Sequence, residues 1–177
     1  MRLLRGAAAV LLLAWALAPE IARYRSERFL HATQATLRYI AAHPSEAADP
    51  VAALTTLEAF ARRAAPGLPG DPRPWVLAGG AQLVRGQPAG AVESYERGNA
   101  LGERAEIDLN LGRAYEALGD ETRSHAAFLR AVWISPALLP SLLPDTAASL
   151  RLDLQRLETD LRSGALRSPP PLPRPSS

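Results

Sequence analysis

The chain has 177 residues, of which 47% are hydrophobic and 21% charged, and it carries a formal net charge of +2 with a pI near 9.5. This composition is typical of a globular protein rather than a disordered one, and so small a net charge argues against a nucleic-acid-binding surface. Cysteine is absent, which excludes disulfides, thiolate metal sites, cysteine nucleophiles and lipid attachment through cysteine.

Residues 1–22 have the layout of a signal peptide or a short membrane anchor. Arg2 and Arg5 precede thirteen uncharged residues, from Gly6 to Ala18. As a helix, this run would span about 20 Å, which is less than the roughly 30 Å hydrocarbon core of a bilayer. The basic start, the short apolar run and its Ala-Leu-Ala end predict a secretory signal. The residues expected to contact the membrane in this segment are Gly6, Leu11, Leu12, Leu13, Trp15 and Leu17.

The sequence leaves cleavage and orientation open. Pro19 follows the cleavage site after Ala18 and has no N–H, which disfavours a cut there, whereas a cut after Ala16 is compatible with the pattern. Without a cut, residues 6–22 would form a short, tilted anchor. The leader layout favours a bacterial inner-membrane protein with its body in the periplasm, or a periplasmic protein after cleavage. Three arginines after the segment favour a cytoplasmic body instead: Arg23, Arg25 and Arg28.

Residues 23–66 are expected to form N-terminal helices. A helix is predicted from Ile21 to His43, and direct continuation from the membrane segment would make it a stalk. Its helical stripe consists of Phe29, Thr33, Leu37 and Ile40. Asp49 and Pro50 favour the start of a second helix, as N-cap and first helical residue, and it should run to about Ala65. A segment rich in proline and glycine then ends this helix before residue 73.

Residues 72–136 contain a sequence repeat with a period of 33 residues. Gly79 and Gly112 are separated by this period, as are three further pairs: Gly86 and Gly119, Tyr95 and Phe128, Gly98 and Ala131. A period near 34 is typical of helix-turn-helix repeats. The first glycine of each unit lies within a helix, where a close approach of two helices explains it. The second lies where that helix should end with a positive φ.

These residues resemble the tetratricopeptide repeat family. The second unit matches the family pattern at Leu111, Gly112, Tyr115, Gly119, Phe128, Ala131 and Pro136. It departs at Ser124, where alanine is usual. The first unit matches at Trp75, Gly79, Gly86, Ala91 and Tyr95. It departs at Gln82 and Gly98, where the family prefers tyrosine and alanine. The resemblance implies an all-α fold, a short α-solenoid of two helix-turn-helix repeats with flanking helices.

The segments around the two repeats are expected to cap them. Residues 50–65 are either a plain helix or the second helix of a degenerate upstream repeat. After the repeats, the prolines between Ser135 and Pro144 predict an extended connector. A capping helix is predicted over residues 145–164, with Asp145 as its N-cap, Gly164 at its end and a leucine stripe at Leu150, Leu154, Leu157 and Leu161. The proline-rich residues 165–177 predict a disordered or polyproline II tail.

The resemblance implies a partner-binding groove along the first helix of each repeat. Matched residue by residue, this groove consists of Arg73, Val76, Leu83 and Val84 in the first unit and Glu106, Leu109, Arg113 and Glu116 in the second. Such a mixed apolar and charged surface suits a peptide or a partner helix. Val76 and Gly80 occupy places where the family's carboxylate clamp needs polar side chains, so capture of a C-terminal carboxylate is not expected. The alternative is that these residues only solvate the groove or contact flanking helices.

These features favour an interaction protein over an enzyme. We expect a membrane-anchored or exported repeat protein that mediates protein–protein interaction during assembly of a cell-envelope complex. The alternative is an accessory structural subunit of a membrane complex, held by an N-terminal transmembrane helix. The sequence has no nucleophile motif or phosphate-binding loop, and its three histidines lie far apart, so no catalytic residues, metal, cofactor, small-molecule substrate or nucleic-acid partner are expected.

Overall fold

The computed structural model describes residues 2–43, 49–165 and 168–171, and within these residues the chain is helical, without strands. The all-α class is therefore confirmed. The seven α-helices are α1 (Arg2–Ala42), α2 (Pro50–Ala64), α3 (Arg73–Val84), α4 (Pro88–Leu101), α5 (Ala105–Ala117), α6 (Glu121–Ile134) and α7 (Pro144–Ser163). Two 3₁₀-helices, Ala65–Gly67 and Pro136–Ser141, follow α2 and α6.

The helices α3 to α6 form two successive antiparallel hairpins. A glycine in the first helix of each hairpin faces an aromatic ring of the second: Gly79 faces Tyr95, and Gly112 faces Phe128. At Gly79, an added Cβ would lie only 2.7 Å from the Tyr95 ring. The prediction that these glycines allow a close helix–helix approach is confirmed, because the ring occupies the space of the missing side chain.

Each of the two hairpins turns at a glycine with left-handed backbone. Gly86 follows α3 with a φ of 70°, and Gly119 follows α5 with a φ of 75°. Most residues with a Cβ adopt this conformation only at a steric cost, whereas glycine does so freely. The prediction that each of these glycines follows the end of the first helix of its unit with a positive φ is confirmed. In both turns the backbone N–H of the residue after the glycine bonds back to a carbonyl in the last turn of the helix.

The helices α1 and α2 form a further helical pair that packs against α3. Their shared core contains Leu30, Ala61, Ala64, Leu68, Leu77 and Ala78. The predicted start of α2 is confirmed, since Asp49 accepts a 2.9 Å hydrogen bond from the N–H of Ala52 and Pro50 is the first helical residue. The four residues of the predicted stripe all lie on α1, as predicted. Thr33 and Ile40 are buried and Leu37 packs on the core, whereas Phe29 is 44% exposed and lies beside Phe60.

The helix α1 is continuous from Arg2, so the N-terminal segment and the predicted helix beginning at Ile21 are one element that includes Pro19. Among the residues that the structure describes, no helix has the length and sustained hydropathy needed to cross a membrane. The insertion of residues 6–22 into a membrane and the fate of the leader stay predictions. Residues 44–48, between α1 and Asp49, lie outside the described residues.

The segment after α6 differs from the sequence-based prediction in two respects. Residues 136–141 form a 3₁₀-helix rather than an extended connector, because the fixed φ of proline fits this helix and Leu138, Leu139 and Leu142 pack on the core of α6 and α7. Helix α7 begins at Pro144, so Leu143 is its N-cap and Asp145 lies in the first turn. Gly164 ends α7 with a φ of 75°, as predicted.

The leucine stripe of α7 is buried at one end only. Leu150 is fully buried against α6, and Leu154 packs beside it, whereas Leu161 is 55% exposed. In the proline-rich tail, Pro170 is buried and its carbonyl accepts a 3.1 Å hydrogen bond from Arg130. Residues 166–167 and 172–177 of the predicted tail lie outside the described residues.

Candidate partner-binding face

The first helices of the three pairs, α1, α3 and α5, lie side by side and form one face of the molecule. A cavity of about 250 Å³ opens between them. Buried apolar side chains from each helix form its floor: Leu30, Leu77 and Ile107. Its rim is polar and charged and consists of His31, Gln34, Arg73, Arg104 and Glu106. This face therefore offers an apolar depression with a hydrophilic border.

Three of the predicted groove residues border this cavity. Arg73, Val76 and Glu106 come from two different helices and meet at its rim and wall. Leu83 is partly buried and packs, like Val76, on the core between α4 and α5. Val84 is 56% exposed at the end of α3 and does not line this cavity.

The predicted groove residues of α5 are not brought together. Leu109 is 6% exposed and packs against Phe128, Val132 and Leu150, so the prediction that it lines the groove is wrong. The physical reason is that Leu109 belongs to the apolar core that α5 shares with α6 and with Leu150 of α7. Arg113 and Glu116 are exposed, and Glu116 borders a separate cavity of about 390 Å³ between α6 and the start of α7.

Arg73 holds α1 against the start of α3. Its guanidinium donates to both carboxylate oxygens of Asp71 at 2.9–3.0 Å and to Glu27 of α1 at 2.7 Å. The hydrogen bonds that Arg73 donates to Asp71, and then the one to Glu27, raise the pKa of Arg73 further above its ordinary value. Burial acts to raise the pKa of Asp71, but the hydrogen bonds from Arg73 outweigh it, and this pKa is lowered. Arg73 therefore acts as a structural link on this face, with its charge already balanced.

A polar network lies where the first repeat departs from the family pattern. Gln82 is 5% exposed, donates to Glu58 of α2 at 2.8 Å and accepts from Ser94 of α4 at 2.7 Å. Arg85 donates to the other oxygen of Glu58 at 2.7 Å. Both ends of the Gln82 amide are thus satisfied within the protein, and three helices are joined. The sequence marked Gln82 as unusual but gave no sign of its partners.

A buried carboxyl group on α5 was missed by the sequence analysis. Asp108 is fully buried and accepts a 2.7 Å hydrogen bond from the side-chain amide of Asn99 at the end of α4. Its Oδ2 and the Oδ1 of Asn99 are buried without a hydrogen-bond partner. Burial raises the pKa of Asp108 to about 7, and repulsion by Glu103 adds to this, while Asn99 and Arg130 oppose it. A protonated Asp108 would supply the one hydrogen that these two oxygens lack.

A larger cavity of about 830 Å³ lies between α1 and the segment that joins α2 to α3. Its charges come from Glu20, Arg23, Glu27, Asp71, Arg73 and Arg104, with equal numbers of each sign.

In the described part of the chain, no group of three or more histidine, aspartate or glutamate side chains is arranged to hold a metal ion. The candidate site is therefore the apolar cavity between α1, α3 and α5.

Comparison with known proteins gives no family for this chain. It matches no model of a known protein family, no curated protein and no solved structure. The repeat pattern and the geometry of the face of α1, α3 and α5 are therefore the features of this chain that bear on its function.

Proposed function

We propose that this chain is a tetratricopeptide-like repeat protein that binds a partner protein along the face of α1, α3 and α5. In this proposal it is attached to the bacterial inner membrane or exported, and it helps to assemble a cell-envelope complex. The bound element is a peptide or a helix of the partner, with an apolar side chain in the cavity. The 33-residue repeat of helical hairpins supports the proposal, since such hairpins place their first helices on a common face.

The observation that carries the proposal is the cavity with its apolar floor. Leu30, Leu77 and Ile107 come from three different helices and meet below a rim that includes Gln34 and Glu106. Binding sites for peptides combine apolar contact with a few polar groups that fix orientation, and this cavity has both. The composition of this face differs from the prediction, which built the groove from the two repeats alone. Helix α1 also contributes to it.

The test compares two matched charge reversals in the tagged, full-length chain. Glu106→Arg changes the rim of the cavity, and Glu93→Arg makes the same change on α4, where the Glu93 side chain is 61% exposed. Both variants are purified from detergent-solubilised membranes with their bound proteins, which are quantified by mass spectrometry. We expect Glu106→Arg to lose a specific set of proteins that wild type and Glu93→Arg retain. Identical sets for all three chains would contradict binding at this face.

An accessory subunit of a membrane complex predicts a different result in the same experiment. In that case α1 alone would retain the partner, and the amount of bound partner would not change in the Glu106→Arg variant. The intact mass of the purified chain shows, in addition, whether the leader is present. A chain that begins after Ala16 or Ala18 would remove the anchored form of the proposal and leave the exported form.

A further inference from the structure

The stretch of α1 from Leu17 to Arg28 has one side toward the segment that joins α2 to α3 and one side away from it. Every residue from 17 to 25 is exposed, and among the side chains of α1 that are described, which begin at Leu17, Ser26 is the first that is buried. Three large apolar side chains in this stretch are unusually accessible: Leu17 is 46% exposed, Ile21 55% and Tyr24 63%. Large exposed apolar groups that recur on one element, rather than singly, mark an interaction surface.

These three side chains lie on one stripe of the helix. Leu17, Ile21 and Tyr24 are separated by four and then three residues, which is the spacing of neighbours on a helical face. Arg28 continues the stripe. The opposite side of α1 is the buried one, where Ser26, Leu30 and Thr33 pack toward the body. The apolar stripe therefore points away from the helical pairs and toward whatever lies outside them.

The charges beside the stripe are positive and not neutralised. Arg23, Arg25 and Arg28 are exposed and form no ion pair with any residue that the structure describes. Of the two acidic residues in this stretch, Glu27 is already paired with Arg73, which leaves Glu20. Many other arginines of the chain are paired with carboxylates, so this cluster differs from the rest of the surface.

We propose that residues 17–28 of α1 lie against the surface of an anionic phospholipid bilayer. The side chains of Leu17, Ile21 and Tyr24 enter the region between headgroups and acyl chains, and Arg25 and Arg28 reach the phosphate groups at its edge. Tyrosine suits this region because its ring is apolar and its hydroxyl is polar. Arginine suits it because its aliphatic stem follows apolar surface while its guanidinium stays hydrated. The inference rests on the membrane attachment in the proposed function.

A bilayer fits this surface better than an acidic protein does. The stripe lies on the same continuous helix as the uncharged run from Gly6 to Ala18. Attachment of that run to a membrane would therefore place the stripe close to the bilayer surface. An amphipathic helix with arginines beside its apolar side chains is the usual form of an interfacial segment. Juxtamembrane arginines near anionic lipid each contribute about a fivefold gain in affinity.

The test measures binding of the full-length chain to vesicles by flotation. The vesicles consist of phosphatidylcholine alone or of phosphatidylcholine and phosphatidylglycerol in equal parts. The double variant Arg25→Gln/Arg28→Gln is compared with Arg151→Gln/Arg162→Gln, which removes the same charge from exposed positions of α7. We expect the first variant to bind the anionic vesicles about 30-fold more weakly than wild type, and the α7 variant to bind as wild type does. High salt should reduce the difference, because exposed charges are screened.

A second pair of variants tests the apolar stripe. Ile21→Ser/Tyr24→Ser should weaken binding to the anionic vesicles, whereas Leu152→Ser/Leu161→Ser, on exposed positions of α7, should not. Equal binding to neutral and anionic vesicles, no binding to either, or equal effects of the two arginine variants would overturn the inference. These results would leave the binding of a partner at the cavity untouched, because Glu106→Arg and Glu93→Arg test it separately. Loss of partners from Glu106→Arg with normal vesicle binding would separate the two sites directly.

Discussion

A Cβ placed on Gly79 would lie 2.7 Å from Cε1 of Tyr95, which is closer than real Cβ contacts come. The ring of Tyr95 is almost completely buried and covers the glycine. Gly112 and Phe128 repeat this relationship one period later. The contact fixes how closely the two helices of each hairpin approach, so the repeat period in the sequence has a steric cause.

Gly79→Ala should destabilise the protein by about 1–2 kcal/mol. Overpacking of this kind costs about 1–3 kcal/mol, and the better helix propensity of alanine returns up to about 1 kcal/mol. Urea denaturation followed by circular dichroism measures the free energy of unfolding. Gly102→Ala is the matched control, because nothing lies within 4 Å of its added Cβ and its φ of 169° is extended backbone. A loss at Gly102 equal to that at Gly79 would contradict the steric explanation.

The contribution of Asp108 to the stability of the protein should decrease as the pH rises from about 4 to about 7. Asp108 has an ordinary pKa of 3.8 that burial raises to about 7 in the folded chain. Between these values the folded state binds the proton more strongly than the unfolded state, so deprotonation favours unfolding. Glu103 faces the group and strengthens this effect, while Arg130 and Asn99 weaken it.

Asp108→Asn should remove this pH dependence and make the protein more stable than wild type at pH 8. The new amide can donate to Oδ1 of Asn99, which the buried carboxylate cannot do. The expected gain is on the order of 2–4 kcal/mol. Urea denaturation across the pH range measures it, with Asp160→Asn on the exposed side of α7 as the control. The same pH profile for wild type and Asp108→Asn would refute this account.

The side chains of Gln82 and Ser94 should contribute to stability as a coupled pair. Gln82→Leu leaves the buried hydroxyl of Ser94 without its acceptor and removes a donor to Glu58, so we expect a loss of about 1–3 kcal/mol. In Gln82→Leu/Ser94→Ala both polar groups are removed together, so the double variant should lose less than the sum of the two single changes. Additive losses in a double-mutant cycle, measured by urea denaturation, would show that the hydrogen bond does not connect the two helices.

Leu150 should hold α7 on the repeats, and Leu161 should not. Leu150→Ala removes a fully buried side chain from the contact with α6 and should cost about 2–5 kcal/mol. Leu161→Ala changes a side chain that is 55% exposed and should cost less than about 0.5 kcal/mol. Hydrogen exchange of the α7 amides shows where the loss occurs. Equal protection of α7 in the two variants would contradict the assigned packing.

The parts of the fold that the sequence predicted well are those with local causes. Gly86 and Gly119 correctly predicted left-handed turns, and Asp49 with Pro50 correctly predicted the start of α2, because each effect depends on a few adjacent residues. The 3₁₀-helix after α6 was missed because proline fits both an extended and a 3₁₀ backbone, and the choice depends on where the intervening leucines pack.

The candidate site was less predictable because it depends on contacts between distant segments. Leu109 was predicted to line the groove from its position in the repeat, but it belongs to a core with residues of α6 and Leu150, and no local pattern indicates that. The contribution of α1 was missed for a related reason: the predicted helical stripe contains Phe29, whereas Leu30, one residue later, forms the floor of the cavity. Asp108 resembled a surface residue near the start of a helix, and only its surroundings show that it is buried.

Photo-cross-linking from the rim of the cavity tests the central claim most directly. Gln34 and, as the control, Glu93 are each replaced by benzoylphenylalanine in the full-length chain, since both side chains are exposed. After irradiation of intact cells, we predict that the probe at Gln34 forms a covalent adduct with one protein partner, that the probe at Glu93 does not, and that Glu106→Arg abolishes the adduct. No adduct from Gln34, or the same adducts from both positions, would contradict a partner bound between α1, α3 and α5.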